Sequence, residues 1–214
     1  MERDMNNPKD TSEKRYYDEY ASFTFHPHNV LLFLLLLGIS ALFLSLSAAF
    51  VYTRVQSQLP PLHLPPLFLL NTLILIASSA AMYRAKDCYK KDDTPGYQRM
   101  LLATMGLSLL FLALQVLAWK SLFAENIFLS TDNAAAYLYV ISGLHFLHVI
   151  AGLPFLAAFY LTARKQMQEP VSVLIYFSDP DKRLKLRLLS IYWHFLDGLW
   201  IYLVVFFAIL SWVN

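Results

Sequence analysis

The last apolar stretch of the chain carries His194 and Asp197 in Tyr192-Trp193-His194-Phe195-Leu196-Asp197-Gly198-Leu199-Trp200, and an earlier one carries His145 and His148 at the same interval. Residues three apart on a helix share one face about a turn from each other, so each pair can act on a single point. Three kinds of chemistry are open to such pairs. Neutral imidazoles can ligate a metal or haem, a carboxylate beside an imidazole can branch a proton path, and either pair can form a hydrogen-bonded knot that fixes two helices. A charged Asp at the middle of a bilayer costs on the order of 2.5–3.5 kcal/mol, so Asp197 is expected to face protein and to find a partner. Two imidazoles one turn apart on a straight helix cannot take opposite axial positions of one haem, and His194 already has Asp197 beside it. A copper or zinc site from His145, His148, His194 and Asp197 would require the last two apolar stretches to be neighbours. The residue chemistry favours a structural polar cluster of these four, with no catalytic, cofactor-binding or metal-ligating residue assigned. No Gly-rich phosphate loop, nucleophile elbow, zinc-protease helix or CxxC motif is present.

The elements that must position these residues follow from composition. Of 214 residues, 57% are hydrophobic and only 15% charged, which excludes an ordinary soluble domain and indicates an integral membrane protein. A bilayer core of about 30 Å needs roughly 20 apolar residues per helix. Five stretches approach that length: Val30–Tyr52, Pro66–Tyr83, Met100–Trp119, Ala135–Leu161 and Leu188–Val213. The expected fold is an all-α bundle of five transmembrane helices, with a polar segment over 1–28 and one membrane domain over 29–214. The second span is the shortest. The fourth is long enough to tilt or to protrude into the interface.

All but Arg54 and Lys120 of the 17 basic residues fall before the first span, between the second and third, or between the fourth and fifth. Lys and Arg are retained on the cytoplasmic side of short loops, so the N-terminus is expected inside and the C-terminus outside. The net charge of +2 is then a topological signal, and nucleic acid is excluded as a partner. The polar first 25 residues read as no signal peptide, and the single cysteine, Cys88, allows no disulfide within the chain.

Small residues at helical spacing, Ala41, Ser45 and Ala49 in the first span and Ala77, Ala81 and Ala85 in the second, predict faces of close helix approach. Trp119, Tyr137, Tyr139, Tyr192, Trp193 and Trp212 fall near span ends, where amphipathic rings sit at headgroup level. Asn71, Ser78, Ser79, Gln115, Trp193 and Trp200 are the candidates for helix packing or subunit contact. Polar residues inside the spans are otherwise too few for a transporter, which scatters them along several helices.

Taken in order, four motifs resemble subunit III of the haem-copper oxidases, the cytochrome c oxidase and quinol oxidase family. They are Asn71-Thr72 with Ser78-Ser79, Gln115 with Trp119, Ser142-Gly143-Leu144-His145-Phe146-Leu147-His148 through Gly152, and Tyr192-Trp193-His194-Phe195-Leu196-Asp197 through Trp200. The resemblance runs from Pro27 to the C-terminus, in the short five-helix bacterial form. It implies a non-catalytic subunit of an oxidoreductase complex in a bacterial inner membrane, docked on subunit I beside subunit II and other small subunits. Haem and copper would lie in those partners, none in this chain, with structural phospholipid and membrane lipid as further contacts. By the same carry-over His145, His148, His194 and Asp197 are buried structural or lipid-facing positions, not redox ligands. The sequence departs from the family pattern at Gly38-Ile39, where many members carry Ser-Glu, and at Ala118, where a glutamate is usual. Both departures point to a role in assembly and stability. The accessory subunit of a nitric oxide reductase, a quinol oxidase subunit III and, from another class, a membrane b-type cytochrome are the alternatives.

Overall fold

The computed structural model describes residues 27–57 and 65–212, so the polar segment over 1–28 lies outside the described residues except for its last two. Every element is helical: α1 (Pro27–Ser57), α2 (Leu67–Lys90), α3 (Thr94–Ala124), α4 (Asn133–Gln166), α5 (Pro170–Ser178) and α6 (Pro180–Trp212). All but α5 are long and apolar enough to cross a membrane, and α2, with 24 residues, is the shortest of the five. The helices outrun the apolar stretches because their ends are capped. Asp93 accepts from the Gly96 amide at 3.0 Å and Asp132 from the Ala135 amide at 2.6 Å, each supplying an acceptor that the first turn lacks.

Packing divides the chain at Leu42. The first unit holds the start of α1, with exposed leucines at 31, 34, 35 and 37 and a Ser40 hydroxyl donating to its own helix at Leu36. In the second unit, α2 packs on α3 and α6, α3 on α4, and α4 on α6, so four spans close a ring. The remaining part of α1 meets that ring through aromatic side chains. Phe50 stacks on Tyr137 at 4.9 Å and meets Phe206 edge-on at 6.0 Å. This overturns the small-residue reading of the first span: Ser45 and Ala41 are exposed, while Phe43, Ser47 and Phe50 form the buried face. Burying large rings removes more apolar surface than a close backbone approach at Ala or Ser would. In α2 the stripe holds only in part, with Ala81 and Ala85 buried and Ala77 exposed.

Helix α5 was not foreseen. Its Tyr176 and Phe177 are buried in an aromatic cluster with Tyr89 and Tyr97, at the end of the bundle where α2 turns into α3. The Tyr89 hydroxyl donates to the Tyr176 carbonyl at 3.2 Å, and Lys182 sits 4.2 Å above the Tyr176 ring. Burial pushes the Tyr176 phenol above its ordinary range.

Candidate functional site

Helix α6 carries the chemistry-bearing residues, and its two neighbours receive different faces of it. Because α6 begins at Pro180, Tyr192 and Trp193 are held in a continuous helix more than three turns from its start. Trp193 is buried and its indole N–H donates to the Ser78 hydroxyl of α2 at 3.3 Å. Ser78 in turn lies 3.5 Å from Ser108 of α3, whose hydroxyl donates to the Thr104 carbonyl at 2.8 Å. Two turns along α2, the Asn71 amide donates to Gln115 at 2.9 Å, both side chains fully buried. These bonds tie α2, α3 and α6 through buried polar side chains that satisfy one another away from water.

The four residues expected as one cluster are distributed over three settings. His145 is fully buried on α4, packed against Phe111 at 5.7 Å and Trp200 at 5.0 Å. Neither of its ring nitrogens has a hydrogen-bond partner among the described residues, and the same holds for the Trp200 indole N–H. His148 turns back on its own helix, with Nδ1 2.7 Å from the Leu144 carbonyl. A carbonyl only accepts, so the proton sits on Nδ1. The Tyr192 hydroxyl donates to the His148 carbonyl at 2.9 Å and so bridges α6 to α4. His194 reaches the other way, with Nδ1 2.7 Å from Ser79 Oγ on α2. Among the described residues no hydrogen bond links one of the four to another, and no three His, Cys, Asp or Glu side chains gather within reach of one metal ion. His194 and Asp197, one turn apart, both reach Ser79 and line the same groove between α2 and α6, whereas His145 and His148 on α4 do not line it.

Asp197 lies at the edge of a groove of about 490 Å³ between α2 and α6. Ser79, Ala80 and Gly198 keep the groove open, and Ile76 and Ile201 line its apolar part. Tyr83 and Arg84 stand towards the end of α2. The carboxylate is 5% exposed, interacts with the Ser79 hydroxyl, and its Oδ2 has no hydrogen-bond partner among the described residues. A buried acceptor without a donor loses roughly 1–3 kcal/mol relative to a satisfied one, so this oxygen favours any neighbour that brings an N–H or O–H to the groove.

Two contributors escaped the sequence reading. Ser108 belongs to the buried face Leu101, Thr104, Ser108, Phe111, Gln115, a spacing of three and four that was visible but unread. Gly152 is a close contact of α4 with α6, where an added Cβ would sit 2.9 Å from ring carbons of both Trp193 and Tyr192.

The profile of the family described as cytochrome c oxidase subunit III matches residues 29–213. A cytochrome c oxidase subunit 3 from Synechocystis sp. is 31% identical over 177 residues, covering 80% of this chain and 71% of that protein. A cytochrome c oxidase subunit 3 from Thermostichus vulcanus is 31% identical over 187 residues, covering 84% and 86% respectively. The match spans α1 to α6 and includes every motif described above, and the chain belongs to the cytochrome c oxidase subunit III family.

Proposed function

We propose that this chain is the non-catalytic membrane subunit of a proton-pumping terminal oxidase in a bacterial inner membrane, and that it stabilises the haem-copper subunit I by docking through the α2–α6 groove. The observation that carries the docking site is the Asp197 carboxylate, nearly buried and with one oxygen lacking a donor among the described residues, in a groove that Ile76, Ala80, Gly198 and Ile201 line together with Ser79, Tyr83, Arg84 and His194. Lipid tails offer no donor, whereas a transmembrane helix of subunit I with an N–H or O–H at that depth satisfies it. Oxygen chemistry belongs in this reading to the haem and copper of partner subunits, with subunit II and smaller subunits completing the complex. The distribution of basic residues supports an N-terminus inside and a C-terminus outside. Ala118 supports a scaffold role: it is fully buried on α3, where a glutamate would need a partner of its own.

Affinity purification of the chain in mild detergent tests the proposal. Asp197→Leu is expected to insert normally and to lower recovery of subunit I by about tenfold, equivalent to about 1.4 kcal/mol. Undiminished recovery would remove the groove as the docking site. A reduced-minus-oxidised spectrum of the same preparation should show haem that leaves with the partners; haem retained by the stripped chain would make it a b-type cytochrome.

A further inference from the structure

We infer that α5 with its flanking basic residues is a binding surface for anionic phospholipid headgroups. The depth of α5 follows from what it touches. Tyr89 lies six residues beyond Tyr83, where the apolar stretch of α2 ends, and Tyr97 three before Met100, where that of α3 begins. At 1.5 Å per residue the aromatic cluster stands about 5–9 Å outside the hydrocarbon, at the depth of the headgroup layer on one side of a bilayer. Tyr176 and Phe177 are fixed in that cluster, so α5 is held in the same layer.

On its other side α5 presents Leu174 and Ile175, 67% and 64% exposed. Residues 164–187 carry six basic side chains against three acidic ones. Arg164, Lys165, Arg183 and Lys185, in the segments that flank α5, are exposed, whereas Lys182 is engaged with Asp179, Gln166 and the Tyr176 ring. Apolar side chains at the acyl boundary beside cations at phosphate depth are the two components by which surface helices hold anionic membranes. A protein partner is the weaker fit, because a stable interface takes roughly 800 Å² from each side and two side chains supply a small part of that.

The test uses the purified complex in nanodiscs of phosphatidylcholine alone or with one third phosphatidylglycerol. Ile175→Cys in a Cys88→Ser background carries an environment-sensitive fluorophore, with Asp92→Cys, in the exposed α2–α3 turn, as the aqueous reference. Quenching by lipids labelled near the headgroup is expected, at least about twofold stronger with phosphatidylglycerol, and that enhancement should be lost in high salt. Arg183→Gln with Lys185→Gln should abolish the phosphatidylglycerol dependence. In the unsubstituted complex, amide exchange over 172–178 should slow when phosphatidylglycerol is added, which needs no labelled variant. Iodide quenching equal to the reference, no access for either quencher, or indifference to phosphatidylglycerol would each overturn the assignment; the middle result would mean that a protein covers α5.

Discussion

The two seams that α6 makes with its neighbours are built from the same kind of residue and come out opposite. Against α4, Gly152 lets the rings of Trp193 and Tyr192 lie on the backbone, and the Tyr192 hydroxyl closes the contact on the His148 carbonyl. Against α2, Ser79, Ala80 and Gly198 are as small, yet nothing lies within 4 Å of a Cβ placed on Gly198 and a groove remains. What differs is the opposing side chain. A small residue facing a Trp becomes a close contact, and a small residue facing other small residues becomes a space that only another molecule can fill.

The closed seam gives the largest effect. Gly152→Leu forces the side chain into two rings that cannot both move, and is expected to destabilise the bundle by about 3 kcal/mol, read as a loss of folded chain in a denaturation series. Gly152→Ala should lie between this and the parent. If both were neutral, the two seams would not differ in the way described.

The open seam should respond in the other direction. At Gly198 a Cβ meets nothing within 4 Å and Gly is unfavourable within a helix, so Gly198→Leu, with its side chain directed into the groove, should keep the stability of the isolated chain or raise it by up to about 1 kcal/mol. Recovery of subunit I should nevertheless fall, because the added side chain occupies the groove. A variant that was as stable and bound as well would show that the groove faces lipid.

How much of this could be read from the sequence depends on what each residue costs in lipid. Five spans follow from apolar length alone, and Asn71, Ser78, Gln115 and Trp193 were legible because a polar group amid apolar neighbours needs a partner. Their pairings were not legible, since they depend on which helices are adjacent: Ser78 bonds Trp193, while Ser79, one residue on, serves His194. The same limit applies to His145, His148, His194 and Asp197, of which only His194 and Asp197 share the groove and Ser79, because sequence spacing fixes the face of a helix and not the neighbour it meets. Helix α5 was hidden because nine residues are too short for a span, and its buried Tyr176 and Phe177 look in sequence like interfacial aromatics.

The smallest effect concerns the hydrogen bond between Ser79 and His194 at the groove. Ser79→Ala removes the partner of His194 Nδ1, and an interhelical bond of this kind averages about 0.6 kcal/mol in membrane proteins. A change of that size means little by itself, so the informative quantity is the coupling between Ser79→Ala and His194→Phe in a double-mutant cycle. In the isolated chain the coupling should be about 0.6 kcal/mol, because each substitution removes the same bond. In the assembled complex it should become larger if the docked helix meets Asp197, since excluding water from the groove strengthens every polar contact along it. An unchanged coupling on assembly would leave the bond in place but separate it from docking, and the groove would then contribute to the shape of this chain without contributing to its assembly.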